Sequence, residues 1–484
     1  MEPATVIIGA ADSKTVNQSG RLSNRHGLIA GATGTGKTVT LQILAEGYSR
    51  MGVPVFTADI KGDLSGLAMP GKDHPKIQER LSVIPIPDFS FRGYPVTFWD
   101  IFAATGHPVR TTISEMGPLL LSSLLELNDT QTGIVYACFR IADDDGLLLL
   151  DLKDLRSLLQ WMGENSKDLS NEYGNISGTS IAIIQRKLLV LEEQGAELFF
   201  GEPALELKDM MRVDSQGLGM INILDATRLS SQSPRLYATF LLWLLSELFE
   251  QLPEVGDRDK PGLVFFFDEA HLLFNNAPDS LLDKIEQVVR LIRSKGVGVY
   301  FITQSPLDIP ENVLGQLGMK IQHALRAFTP KDQKAVRMVA ESFRPNPAFA
   351  TRDVITELGT GEALVSVLDD KGSPTPVEKT LVRPPESRIG PLSNAERAQL
   401  VAMSDLRDKY TKTIDRESAH ELLQRKAEKI TEQSNSHKPE KRKATGRPRQ
   451  SVGEAMIKSA ARSIGSHLGR QLIRGILGSL SGKR

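Results

Sequence analysis

Residues Gly31 to Thr38 read Gly-Ala-Thr-Gly-Thr-Gly-Lys-Thr and follow the short apolar run Leu28-Ile29-Ala30. An apolar strand, a glycine loop and then a helical pattern over Val39 to Tyr48 is the order in which such a loop holds phosphate. Gly31, Gly34 and Gly36 free the backbone for conformations that side chains forbid, so successive N–H groups can converge on an anion. The positive end of the following helix adds to the same cradle. Lys37 is placed to reach the β- and γ-phosphates and the Thr38 hydroxyl to sit on magnesium, with Ala32, Thr33, Thr35 and Val39 completing the contact. The expectation is a nucleoside triphosphate site.

Composition narrows what surrounds that site. A chain of 484 residues is too long for one simple core and calls for two or three folded units. Cys138 is the only cysteine, which excludes an internal disulfide and a cysteine-clustered zinc site. The first residues lack a basic region and a secretory apolar stretch, and no apolar run approaches the ~20 residues that span a bilayer, so a cytoplasmic protein without a transmembrane segment is expected. A net charge of −1 carries no information about a polyanionic partner.

A second strong feature lies downstream. Leu263-Val264-Phe265-Phe266-Phe267 is apolar throughout, as in a parallel strand buried on both faces, and it ends in Asp268-Glu269. Asp268 suits a magnesium ligand, and Glu269 suits the base that orients an attacking water. Further strands are expected over 53–58, 220–224, 297–303 and 363–367, with helices over 235–252 and 281–295. Strands alternating with helices argue for a mostly parallel sheet covered on both faces, with the ligand at the carboxyl ends of its strands.

The pattern turns helical between 105 and 205, with segments expected over 119–127, 132–142, 152–163 and 181–195. This is expected to be an insertion between two parts of one core, 1–104 and 206–390. Beyond the core come a charged helix over 391–433, a flexible basic linker over 434–452 and a basic amphipathic helix over 453–484. From Lys438 onward 12 Lys or Arg stand against 2 Glu. Such a tail can follow nucleic acid, lie on an anionic membrane surface or dock on a partner. Gly446-Arg447-Pro448-Arg449 has the form of a short minor-groove hook.

Other residues bear on catalysis. Gln304, after the strand 297–303, is placed to sense the γ-phosphate if that strand neighbours the one ending at Asp268; the alternative is a buried amide. Asp59 and Asp63 either support a metal shell or shape a turn. Asp268-Glu269-Ala270-His271 spells the letters of an RNA-helicase motif, but that branch's second-domain arginine-glycine motif and its Ser-Ala-Thr are absent, so His271 is expected to be a helix-start residue. A single phosphate loop lacks a positive group beyond the γ-phosphate, which a neighbouring subunit's arginine can supply; Arg290 and Arg293 are the candidates, the alternative for each being an ordinary surface charge.

Taken together, the loop Gly31 to Thr38, Asp59-Ile60-Lys61-Gly62-Asp63, Phe265 to His271 and Gly298 to Pro306 resemble the HerA–FtsK group of P-loop ATPases. The runs Arg290 to Gly298, Leu314 to Gly318 and His323 to Phe328 are similar to the HerA-like helicase C-terminal domain family, in its YjgR-like bacterial branch. The resemblance implies an α/β fold: a RecA-like P-loop NTPase core with a mostly parallel sheet, a helical insertion and a C-terminal helical tail. It also implies ATP and Mg2+ as ligands, a homo-oligomer that forms a hexameric ring, hydrolysis between subunits, and Arg293 as the residue acting in trans. The leading expectation is an ATPase motor, a DNA translocase or helicase. Two alternatives stay open: a motor that moves or remodels protein, and a nucleotide-dependent scaffold or switch without turnover. No Asn-Lys-x-Asp motif is present, which argues against a GTPase.

Overall fold

The run Leu263–Phe267 is apolar at every position because it is covered on both sides. Phe265 and Phe267 point into one hydrophobic core, and Val264 and Phe266 into the other. The computed structural model describes residues 4–12, 14–256, 258–274 and 279–436. Among these residues twelve strands form one sheet. They are β1 (Thr5–Ala11), β2 (Lys14–Ser19), β3 (Gly27–Ala30), β4 (Val55–Asp59), β5 (Val96–Asp100), β6 (His107–Pro108), β7 (Ile221–Asp225), β8 (Leu263–Phe267), β9 (Val297–Thr303), β10 (Met319–Gln322), β11 (Glu362–Ser366) and β12 (Glu378–Val382).

Their order is β2-β1-β12-β11-β10-β3-β9-β8-β4-β7-β5-β6. From β10 to β6 every pairing is parallel, whereas β11, β12, β1 and β2 form an antiparallel extension at one edge. Parallel strands end on the same side, so the segments that follow β3, β4, β8, β9 and β10 all emerge along one edge of the sheet. That edge is where a ligand of an open α/β sheet binds. Helix α1 (Lys37–Arg50) covers one face, burying Leu41, Leu44 and Tyr48 against Ile29, Val55 and Tyr300. The helix Pro234–Gln251 and the helix Asp279–Ile292 cover the other face.

Between β6 and β7 the chain is mostly helical. The helices Ile113–Leu124, Asp129–Asp145, Leu152–Glu164 and Gly178–Glu193 bury residues such as Leu121, Cys138, Leu158 and Ile184 in the same core. The first of these begins six positions before the expected 119, because Thr112 and Glu115 close a capping box there. Gly117, at φ 73°, and Pro118 then kink it, which is why its first turn is hidden from a periodicity count.

The stretch expected to be one charged helix over 391–433 is broken into Asn394–Ala402, Arg407–Thr411 and Ala419–Ser436. The interruption lets Leu406 and Tyr410 turn inward. Tyr410 packs edge-on against Trp99, 5.2 Å between ring centres, and its hydroxyl donates to Asp209 at 2.5 Å. A continuous solvated helix could not bury them. The described residues up to Arg425 form one compact unit. The basic amphipathic helix over 453–484, the hook at Gly446 to Arg449 and nearly all of the linker lie outside the described residues. Among the described residues no helix is long and apolar enough to cross a membrane.

Candidate functional site

Parallel pairing brings the glycine loop to its neighbours. β3 lies between β9 and β10, and β9 in turn pairs with β8. The loop after β3 is tied to both flanking strands: Gly31 N–H donates to Thr303 O at 3.3 Å and Ala32 N–H to Ala324 O at 2.9 Å. A Cβ at Gly31 would fall 2.5 Å from the His323 Cβ, so only glycine allows that approach. Gly36 takes φ 118° as the N-cap of α1, and no side chain caps the N–H groups of that first turn. The helix starts at Lys37, two residues before the expected Val39, because this glycine completes the turn.

Lys37 folds back over its own loop. Its Nζ donates to Gly31 O at 2.6 Å and to Ala32 O at 3.1 Å. Burial holds its pKa below the usual lysine range, reinforced by the charge of Lys61 and opposed by Glu269 and Asp268. Thr38 is half-buried on the first turn, and the exposed Thr33 and Gly34 form the tip of the loop. Thr35 is buried and donates to Ala32 O at 2.7 Å, which stiffens the turn.

The acidic pair follows β8 on the same edge. Burial pushes the Asp268 carboxyl up to about 7, against the opposing charge of Lys61. The Asp268 carbonyl accepts from the buried Tyr237 hydroxyl at 3.2 Å. Glu269 Oε1 forms an ion pair with Lys61 Nζ at 3.0 Å, and Oε2 lies 3.4 Å from His271 Nδ1. Burial raises the Glu269 pKa, but Lys61, His271 and Lys37 outweigh it and keep the carboxyl below its ordinary range. His271 opens the short helix His271–Phe274, as expected.

Gln304 stands exposed at the tip of β9, between the loop strand and the acidic strand, and is not a buried amide. Gly31 to Thr38, Asp268, Glu269 and Gln304 are thus brought to one edge. Arg293 is not among them. It lies in the turn Arg293–Lys295 that precedes β9, at the opposite end of that strand from Gln304, where Asn24 donates to its carbonyl at 3.4 Å. Arg290 is exposed on the preceding helix.

Asp59 shapes a turn. Its carboxylate accepts from the N–H groups of Gly62 (2.7 Å), Asp63 (3.1 Å) and Leu64 (3.0 Å), which occupies both oxygens with backbone donors. That turn presents Lys61 to Glu269. Lys61 was not singled out from the sequence, although a lone cation between Asp59 and Asp63 is a usable signal. His323 was also missed. Fully buried at the end of β10, it donates from Nδ1 to Glu362 O at 3.0 Å and accepts the Thr40 hydroxyl on Nε2 at 2.9 Å. Burial lowers its pKa to about 4, so it is a neutral strut beneath the loop.

A glycine loop, a buried acidic pair and an amide on the strand between them is the arrangement of a P-loop site. The family model described as Helicase HerA-like C-terminal matches residues 5–484.

The chain belongs to the HerA-like helicase C-terminal family.

Its HerA-like relatives include the DNA double-strand break repair helicase HerA of Sulfolobus acidocaldarius, 23% identical over 368 residues that make up 74% of this chain and 66% of that protein. A probable helicase of Methanocaldococcus jannaschii is 29% identical over 154 residues, 30% of this chain and 28% of the relative. The chain therefore spans just under two thirds of the first relative's length and a smaller part of the second. Among solved structures, VirB4 of Thermoanaerobacter pseudethanolicus superposes with a TM-score of 0.50 at 16% identity, covering 79% of this chain and 97% of that one. The HerA-like sheet and its flanking helices have the RecA-like P-loop fold.

Proposed function

We propose that this HerA-like chain is an ATP-hydrolysing motor that acts on DNA as a ring of identical subunits. The observation that carries the reading is the meeting, on one sheet edge, of the loop after β3, the acidic pair after β8 and Gln304 after the strand between them. In this reading the loop N–H groups and the start of α1 hold the triphosphate. Lys37 exchanges its loop carbonyls for β- and γ-phosphate oxygens.

Thr38 and Asp268 would hold magnesium. Their hard oxygen donors suit that ion, and a buried carboxyl pushed up to about 7 calls for a cation opposite it. Magnesium, when bound, neutralises phosphate charge. Among the described residues no group of three or more acidic, His or Cys side chains forms a closed metal cage. Magnesium requires none, since it keeps waters and substrate oxygens as ligands. Glu269, held ionised by Lys61, accepts the proton of the attacking water and orients it; Gln304 donates to the transferring group.

Arg293 is out of reach of its own loop, because β9 separates it from Gln304 by roughly 20 Å of extended chain. A neighbouring subunit's Arg293 would supply the missing positive charge, which supports a ring. The family and the names of the relatives support DNA as the polymer.

The test is phosphate release by the full chain with and without double-stranded DNA at rising salt. Stimulation by DNA that falls steeply with salt is expected. Folded protein that turns over no ATP under any of these conditions overturns the reading.

A further inference from the structure

The segment that follows β10 leaves the sheet on the same edge as the glycine loop and is tied to it, since Ala324 O accepts Ala32 N–H at 2.9 Å. From Leu325 on it forms one wall of a cavity of about 370 Å³, which the helices Pro330–Glu341 and Thr351–Glu357 complete. The floor is solid, because Leu325 and Val336 are buried with Ile355 in a small hydrophobic core of their own. The remaining walls are polar and mainly cationic. Arg326, Gln333 and Arg352 are exposed, and their side chains make no hydrogen bond or ion pair among the described residues. Asp353 is the one acid lining the cavity. Lys334 and Arg337, also exposed, add positive charge on the helix Pro330–Glu341, where Arg337 lies one turn beyond Gln333. Glu341 and Glu357 stand at the far ends of the two helices. Phe328 lines the same cavity and is 87% exposed. Its backbone is fixed: the Phe328 N–H donates to Asp332 at 3.1 Å, beside the capping box of Thr329 and Asp332 that starts the helix.

We infer that this groove holds an unpaired nucleic-acid strand, with one base stacked on Phe328 and the adjoining phosphate between Arg326 and Arg352. The inference rests on the reading of the chain as a motor on DNA and names a place where the polymer is touched. A phenyl ring held out in water from a fixed backbone gains most from a flat apolar partner, and the face of a base is one. Such stacking is worth roughly five- to a hundredfold in affinity per base and is tolerant of sequence. Two guanidiniums without counter-charges match a phosphodiester, whose two free oxygens suit the planar donor fork of arginine. A duplex answers only half of this, because its bases are already stacked on one another and would leave Phe328 in water. An acidic protein surface would pair with the arginines and offer the ring no base face. The placement also gives the contact a task. Ala324, hydrogen-bonded to the loop, is two residues from Arg326, so a shift of the loop on taking up phosphate passes to the strand through one short segment.

Binding of a dye-labelled single-stranded oligodeoxynucleotide of mixed sequence to the full chain, followed by anisotropy over a range of salt, tests this. The proteins are the wild type, Phe328→Ala, Phe328→Trp and the double variant Arg326→Ala with Arg352→Ala. All three positions are exposed, so folding should survive, and ATP turnover without DNA should stay at the wild-type rate. Phe328→Ala should weaken the strand by about tenfold or more with the salt slope unaltered, and Phe328→Trp should bind as tightly as the wild type. The arginine variant should bind about tenfold or more weakly and lower the salt slope by about 0.7 or more. Wild-type affinity in either Phe328→Ala or the arginine variant overturns the inference, as does Phe328→Trp binding no tighter than Phe328→Ala. Loss of the oligomer in Phe328→Ala, seen by light scattering, also overturns it by making the ring a subunit contact. In each of these cases duplex-stimulated turnover by the wild type leaves the motor reading standing. A wild type that hydrolyses ATP, binds no strand and is not stimulated by duplex overturns DNA as the polymer, and this inference with it.

Discussion

Glu269 has φ 48°, a conformation that side-chain-bearing residues adopt at a cost and that recurs at functional positions. The twist comes directly after β8 and turns its carboxylate to Lys61. Glu269→Gln keeps the size but removes the proton acceptor. Phosphate release should fall by roughly 10²-fold or more with ATP binding retained, as seen by stopped-flow and calorimetry. Unchanged turnover would remove Glu269 from the mechanism. His26 gives a second prediction at this scale. Buried at the amino end of β3, it accepts Val299 N–H on Nδ1 at 3.0 Å, and burial lowers its pKa to about 4. An unfolded histidine near 6.5 takes up a proton before the folded one does, so its contribution is intact above that range and is lost as pH falls toward 4. Asp59 and Asp268, raised by burial, act in the opposite direction, so the difference from a His26→Asn variant is the informative quantity. The urea-derived stability gap between the two proteins should narrow by about 2 kcal/mol from pH 7 to pH 5. A gap independent of pH would show that the histidine is not held neutral. The positions of Gly31 to Thr38 and Asp268-Glu269 were legible because each is contiguous in sequence and tied to one strand end. Lys61 and His323 were not, since their partners, Glu269 and Thr40, are brought to them only by sheet order.

At the scale of elements, the strands buried on both faces were legible as apolar runs: β4, β7, β8, β9 and β11 lie within a residue or two of expectation. β2, β10 and β12 were not, because these short strands carry polar residues such as Lys14, Asn17, Lys320 and Lys379 that break an apolar run. The tie between α1 and 383–388 was equally invisible. Glu46 and Arg383 are both buried, 3.0 Å apart, and separated by most of the core in sequence. Replacing Glu46 with Gln removes the nearer of two buried counter-charges and leaves the guanidinium only Glu386, at 3.9 Å. A loss of about 3–5 kcal/mol is expected from chemical denaturation, far more than for a surface pair. A loss below about 1 kcal/mol would mean that water reaches the pair.

At the scale of the whole molecule, the proposed ring, with Arg293 placed away from its own loop, would make activity a property of pairs of subunits. Arg293→Ala and Glu269→Gln should each be nearly inactive alone. Mixed together, they should regain measurable ATPase activity, because some interfaces then join an intact Glu269 to an intact Arg293. No recovery at any mixing ratio, with oligomers verified by light scattering, would refute action in trans. The sheet order also bears on the chain while it is being synthesised. β3 is among the first strands to be synthesised, yet its partners β9 and β10 come about 270 residues later. At roughly 5–20 residues per second, the nascent chain carries an unpaired, wholly apolar strand for about 15–50 s. During that interval the loop that β3 carries lacks both strands that hold it in place, so nucleotide can steady the growing chain only after residue 322 has been made.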